Sequence, residues 1–376
     1  MDHAAVNDIL KNLPYPVARK ADEIAALINE HFVCGIGGEA GSGKSTVVPF
    51  IASSVVKGRV IVIQPRRLAA IAVCRRLNEL CVGYNTHIEY NAAAASSGTA
   101  QAAGRVSGYV VRHEQDVHKT DQVLCVTTGV FLRMIAENPQ LPGTGAVILD
   151  EIHERSLESD LCWVLAKNAQ ELHRADLKLI VMSASVGEEL LEQAGIREYG
   201  WITVSGRLFP VETEYMPARD FADETGFCAT AITQACERTD GDLLVFLPGE
   251  REIRKVHELL APLERKGFLI LELFGRMNPE DQKKVLQKTA DARKIILATN
   301  IAQTSLTIEG ITCVVDSGLE RCVYEYPGEA ASSMKTERIS DASALQRTGR
   351  AGRLEPGVCV RLWDAREKLK SRDIPA

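Results

Sequence analysis

The nine residues Gly38 to Thr46, GEAGSGKST, follow the apolar run HFVCGIGG and open onto a helix-compatible stretch. Context gives this G-x-x-x-x-G-K-[ST] pattern its force, because it needs a strand before the glycine-rich turn and a helix after it. Glycines let such a turn wrap until its backbone N–H groups face an anion, at a helix end whose dipole already favours negative charge. Lys44 is then placed to reach the β- and γ-phosphates of a nucleotide and Ser45 to ligate Mg²⁺. Gly38, Gly41, Ser42, Gly43 and Thr46 complete the candidate nucleotide-binding set.

The rest of the chain supplies a matching pattern. Short apolar runs alternate with helical stretches: HFVCGIGG, GRVIVIQ, DQVLCVTT, GAVILD and LKLIVMSAS. Runs of this kind, bounded by glycine and polar turns, suit buried parallel strands. After SGRLFPVETEYMPARD the alternation restarts with GDLLVFL, GFLILELF, RKIILATN, GITCVVDSG and GVCVRLW. At 376 residues the chain exceeds what one core organises, since domains hold roughly 100 to 200 residues. Two α/β domains in series are expected, residues 31–205 and 206–376, preceded by a helical extension over residues 1–30. Asn91 to Gly104, NAAAASSGTAQAAG, lacks large apolar side chains and reads as a surface loop or a short exposed helix.

Composition excludes several classes. No run approaches the roughly 18 apolar residues of a membrane span, and MDHAAVNDIL lacks the basic and apolar regions of a signal peptide. The ten cysteines are scattered singly, without metal-ligand spacing, which suits reduced thiols filling the core of an intracellular protein. Cytoplasm, nucleus and organelle matrix satisfy this equally. A net charge of -6 provides no global positive field, so any nucleic-acid contact must come from local clusters.

GAVILD ends in Asp150-Glu151-Ile152-His153, carboxylates at the C-terminal end of an apolar strand. Beside a phosphate loop, Asp150 is suited to the Mg²⁺ shell and Glu151 to polarising the attacking water. Ser45, Asp150 and Glu151 are the candidate metal residues. Gln346-Arg-Thr-Gly-Arg-Ala-Gly-Arg353 spaces Arg347, Arg350 and Arg353 three apart, which on a continuous helix lines them along one face. A guanidinium brought to the γ-phosphate from a second domain is an arginine finger. These features indicate nucleoside triphosphate hydrolysis without saying what it drives.

The ordered set GEAGSGKST, IQPRR, TTG, DEIH, SAS, LPGE, TNIAQTSLTI and QRTGRAGR resembles motifs I to VI of the DEAH/RHA-type superfamily 2 helicases, from about Glu30 to Trp363. Two RecA-like P-loop NTPase domains in tandem, each a mostly parallel sheet flanked by helices, are implied. The resemblance implies catalytic roles for Lys44, Asp150, Glu151, His153, Gln346 as water-positioning residue, and Arg350 and Arg353 as fingers. Arg76 stands where family members stack an arginine on the base, and Leu286 where an aromatic partner is usual, so ATP is the expected nucleotide and other NTPs are acceptable. Ser183 and Ser185 would couple hydrolysis to strand separation. Arg66, Arg67, Thr128, Gly129, Thr304, Ser305 and Thr307 would form a track for single-stranded RNA, with contacts to phosphate and sugar rather than base edges.

Residues 318–339 read as a hairpin, with Val323, Tyr324 and Tyr326 on its first arm, in the position of the family's strand-separating wedge. Motif II is DEIH rather than DEAH, motif III ends in Ser185 where Thr is usual, and Gln303 replaces a common Glu, removing a charge from any ion pair there. The family's winged-helix, ratchet and OB-fold domains follow where this chain stops, so a looser grip on RNA is expected. The function implied is an ATP-dependent RNA helicase, or RNA-stimulated NTPase, remodelling RNA or ribonucleoprotein with 3′-to-5′ polarity. Protein activators or assembly partners, and no membrane, belong to this expectation. A structural ribonucleoprotein assembly factor and a DNA helicase are the alternatives.

Overall fold

The computed structural model describes residues 3–11, 13–39, 41–89, 105–184, 188–205, 209–217, 223–286, 292–303, 308, 310–324, 333–353 and 355–370. The Ala-rich segment, the hairpin tip with Tyr326, and Ser185, Thr304, Ser305 and Thr307 lie outside these residues. The chain divides into two compact units, Met1–Gly206 and Arg207–Ala376.

The first unit carries strands β1 (Val33–Gly38), β2 (Arg59–Gln64), β3 (Ser107–Val111), β4 (Glu114–Asp116), β5 (Val123–Thr127), β6 (Thr144–Leu149), β7 (Lys178–Ser183) and β8 (Gly200–Val204). They form one sheet in the order β4-β3-β5-β2-β6-β7-β1-β8. All neighbours are parallel except β3 and β4. Helices α1 (His3–Lys11), α2 (Ala21–Glu30), α3 (Lys44–Val55), α4 (Arg67–Glu89), α5 (Thr128–Glu137), α6 (Leu157–Leu172) and α7 (Glu189–Gln193) complete it.

Strand alternation divides the apolar side chains between two cores. Val60 and Val62 of β2 join Ile148 of β6 and Ile180 and Met182 of β7 in one core, together with Ile24 and Ile28 of α2 and Phe50 and Ile51 of α3. Ile61 and Ile63 join Val147, Leu149, Leu179 and Val181 in the other, with Phe131 of α5 and Cys162 of α6. Residues before β1 belong to the first core as well, through Val6, Ile9 and Leu10 of α1 and Val17. Gly35 and Gly37 of β1 lie under the Trp201 ring, and a Cβ at Gly35 would collide with it.

The second unit contains β9 (Val211–Tyr215), β10 (Asp242–Phe246), β11 (Leu269–Leu273), β12 (Lys294–Ala298), β13 (Ile311–Asp316), β14 (Leu319–Tyr324), β15 (Ser333–Arg338) and β16 (Gly357–Arg361). Its main sheet runs β11-β12-β10-β13-β16-β9, all parallel, while β14 and β15 form a separate antiparallel pair. Its helices are α8 (Glu224–Arg238), α9 (Glu250–Leu259), α10 (Ala261–Glu264), α11 (Pro279–Leu286) and α12 (Asp341–Thr348).

The runs expected from sequence became β1, β2, β5, β6, β7, β10, β11, β12, β13 and β16. Strands β3, β4, β8 and β9 were not anticipated. Among the described residues no helix is long and apolar enough to cross a membrane. None of the ten cysteines forms a disulfide, and all but Cys322 are buried. Burial pushes the Cys34 thiol up to about 12, which suits core filler rather than a nucleophile.

Candidate functional site

The phosphate loop leaves β1 at Gly38 and enters α3 at Lys44. Gly41 and Gly43 take φ of 89° and 92°, a left-handed backbone that glycine adopts at little cost. Gly43 is doubly constrained, because a Cβ there would sit 2.6 Å from Cβ and Cγ of Tyr15. Lys44, buried in the loop, donates from Nζ to Gly38 O, to Glu39 O at 3.0 Å and to Ser42 Oγ at 3.2 Å. Three acceptors thus hold the ammonium at the hollow of the loop. Arg76 projects from α4, donating to Glu79 Oε2 at 3.0 Å and to the Tyr15 hydroxyl at 3.4 Å.

Asp150 follows β6 and is buried. Its carboxylate accepts from Gln64 Nε2 at 2.7 Å and from Glu151 N at 2.9 Å, and the Ser45 hydroxyl hydrogen-bonds to it. Burial is the main force pushing its pKa up to about 6. The Glu151 charge adds to this, against the pull of Ser45, Gln64 and Lys44.

A carboxylate whose folded pKa exceeds its unfolded value near ~3.9 destabilises the fold when ionised. The cost is full above pH 6 and fades as pH falls towards ~4, and at about 1.4 kcal/mol per unit it is roughly 3 kcal/mol. Asp150→Asn should therefore raise the Tm of the ligand-free protein at pH 7.5 by several degrees. Gln64 Oε1, buried without a hydrogen-bond partner, can turn to receive the new Asn amide. The gain should vanish near pH 4.5, and a lower Tm at pH 7.5 would contradict the assignment.

Glu151 adopts φ 55°, ψ 35°, a left-handed conformation costing a non-glycine residue about 1 kcal/mol or more. The turn lifts Glu151 away from the strand line and brings its Oε2 to 3.4 Å from Nε2 of buried His153. His153 Nδ1 accepts from Ala184 N at 3.3 Å, which leaves the proton on Nε2, facing Glu151. The backbone after β7 is thereby linked through one imidazole to the candidate base. Ser183 is buried at the end of β7. The Ala184 amide that meets His153 is a backbone group and carries no residue signature in the sequence.

Of the expected track residues, Arg66, Arg67, Thr128 and Gly129 lie at the C-terminal ends of the adjacent strands β2 and β5, where open α/β sheets present their ligand-binding loops. Each polar side chain meets a carboxylate: Arg66 with Glu154 at 3.4 Å, Arg67 with Glu114 at 2.5 Å, and the Thr128 hydroxyl with Glu158 at 2.5 Å. An added Cβ at Gly129 meets nothing within 4 Å.

In the second unit the expected arginine row is corrected. Helix α12 stops at Thr348, so Arg350 and Arg353 lie beyond it rather than on one helical face with Arg347. Gly352 explains the chain's new course, because a Cβ there would sit 2.7 Å from Phe209 O and 2.6 Å from Val211 Cγ2. Arg347 is fully buried, donating to Asp316 Oδ1 at 2.8 Å and lying over the Phe246 ring. It is a core ion pair. Gln303 organises the rest: its amide donates to Gln346 Oε1 at 2.9 Å and Ser343 Oγ at 3.0 Å, and Arg347 donates back to its Oε1 at 3.1 Å. Its backbone carbonyl receives Arg350 through Nε at 2.9 Å and through the adjacent terminal nitrogen. Gln303, which lacks the charge of the more common Glu, instead holds both Gln346 and Arg350. Arg353 is half-buried.

A glycine-rich loop on a helix N-terminus, with a serine hydroxyl joined to a strand-end aspartate, defines the first unit as a P-loop nucleoside triphosphatase domain, and the second unit repeats its parallel sheet flanked by helices. The DEAD/DEAH box helicase model matches residues 18–193 and the helicase conserved C-terminal domain model residues 228–355. The chain belongs to the DEAD/DEAH box helicase family. It is 38% identical over 350 residues to the ATP-dependent RNA helicase HrpB of Escherichia coli, covering 92% of this chain and 41% of that protein. Similarity to the HrpA helicase of the same species is 35% over 357 residues, 93% of this chain and 26% of HrpA. The crystal structure of the E. coli DEAH/RHA helicase HrpB superposes with a TM-score of 0.81 at 36% identity, over 96% of this chain and 44% of that one. The chain thus spans less than half the length of these relatives.

Proposed function

We propose that the protein is an ATP-dependent RNA helicase whose hydrolysis is stimulated by single-stranded RNA and which remodels RNA or ribonucleoprotein with 3′-to-5′ polarity. The observation that carries this reading is the linked set in which Lys44 is held by the phosphate loop, Ser45 is hydrogen-bonded to Asp150, and the adjacent Glu151 faces His153. Lys44 exchanges its loop carbonyls for the β- and γ-phosphates. The oxygen donors Ser45 and Asp150, already hydrogen-bonded to each other, suit a hard cation, and Mg²⁺ when bound supplies charge neutralisation at the phosphates.

Glu151, steadied by the His153 N–H, takes the proton of the attacking water. Gln346 positions that water. Arg350 and Arg353 offer their guanidiniums to the γ-phosphate, and Arg76 lies against the base. Ser183 and Ser185 belong to the segment that passes the hydrolytic state towards the RNA track. RNA meets Arg66, Arg67, Thr128 and Gly129, together with Thr304, Ser305 and Thr307, through phosphate and sugar, so binding is largely independent of sequence.

The deciding measurement is the steady-state ATPase rate with and without single-stranded RNA, at one stated salt concentration. Stimulation by RNA of several different sequences, and little by matched DNA, is the expected result. Hydrolysis indifferent to RNA would overturn the coupling, and equal stimulation by DNA would overturn the choice of RNA.

A further inference from the structure

The nucleotide site has a contributor outside its sequence motifs. Tyr15 precedes the short 3-10 turn Pro16–Lys20, and its ring packs directly on the Gly43 backbone, where even a methyl group would not fit. Two residues later Val17 N donates to Ser42 O at 3.1 Å, so the same segment grips the loop a second time. The Tyr15 hydroxyl, at the other end of the ring, accepts from Arg76 at 3.4 Å. One side chain therefore spans two nucleotide-facing elements that arise from different parts of the sheet, the β1–α3 loop and helix α4.

We infer that Tyr15 is a positioning residue for the nucleotide, its ring backing the phosphate loop while its hydroxyl sets the Arg76 guanidinium for the base. This rests on the ATPase reading above and on the place of Arg76 in it. The two ends of the side chain have separable consequences. Removing the hydroxyl frees Arg76 and costs base recognition. Removing the ring also takes away the support under Gly43 and costs phosphate recognition. A purely structural tyrosine would make no such distinction.

Tyr15→Phe keeps the ring and its packing. It should raise KM for ATP by roughly 3- to 10-fold, the net worth of one ordinary hydrogen bond, as suits a 3.4 Å contact, with kcat within about two-fold. Inorganic tripolyphosphate, which has phosphates but no base, should inhibit Tyr15→Phe as well as it inhibits wild type. Tyr15→Ala should weaken ATP and tripolyphosphate alike. In an Arg76→Ala background Tyr15→Phe should add nothing further, because the two groups act as one unit.

An unchanged KM in Tyr15→Phe overturns the inference. Equal loss of ATP and tripolyphosphate in that variant does so too, since the hydroxyl would then act through the loop. Wild-type protein that binds tripolyphosphate and ATP equally would remove the role of the base contact alone. Wild type that binds no nucleotide would overturn the site reading itself, and this inference with it.

Discussion

Glu151→Gln should bind ATP within about two-fold of wild type while hydrolysing it roughly 10²- to 10⁴-fold more slowly, the usual worth of a positioned general base. The substitution keeps the side chain's length and removes only its ability to hold a proton. Retained binding is expected because Lys44, whose ammonium is held at the loop by the Gly38 and Glu39 carbonyls, is untouched. The His153 N–H can still donate to the Gln carbonyl across the present 3.4 Å separation, so the left-handed turn should persist. Losing the Glu151 charge also removes one of the causes raising the Asp150 pKa, so the neighbouring aspartate ionises more readily in the variant. Equilibrium binding of a fluorescent ATP analogue, set beside single-turnover hydrolysis, separates the two effects. Near-normal turnover would eliminate Glu151 as the base.

Lys44→Ala acts at the other end of the reaction coordinate. The ammonium is held by two backbone carbonyls and a serine hydroxyl in the ligand-free loop, so it is already placed, with little freedom left to lose on binding. Charge-assisted hydrogen bonds to phosphate contribute about 1.5–3 kcal/mol each. Losing two should weaken ATP by roughly 10²- to 10⁴-fold. AMP, which lacks the β- and γ-phosphates, should be affected far less. Calorimetry with ATP, ADP and AMP tests the ordering, and equal weakening of all three would mean that the loop had collapsed instead.

Much of this site was legible because its signals are local. A glycine turn between a strand and a helix, or two carboxylates after an apolar strand, is written in consecutive residues. The buried strands were legible for a related reason: with both faces covered, β2 and β6 read as unbroken apolar runs. The edge strands β4, β8 and β9 were not. Glu114–Asp116 and Val211–Tyr215 carry two acidic residues each and lie at sheet margins, where one side is wet and no apolar run is required. The arginine row was misread because helical spacing was extended through Gly349 and Gly352, although the backbone approach to Phe209 and Val211 is fixed by residues far away in sequence. Tyr15 and Gln303 escaped for the same reason, since each acts through contacts with distant segments.

On the proposed RNA track, two arginines are already paired with glutamates. Phosphate binding by arginine ordinarily releases condensed cations from the nucleic acid, and affinity then falls steeply with salt. Here Arg66 and Arg67 are engaged by Glu154 and Glu114, so each phosphate that captures an arginine leaves behind a glutamate that must recruit a cation from solution. If RNA binds the proposed track, ion release and ion uptake would offset each other, and capture would be an exchange of anions around fixed guanidiniums, less sensitive to ionic strength than the number of phosphate contacts implies.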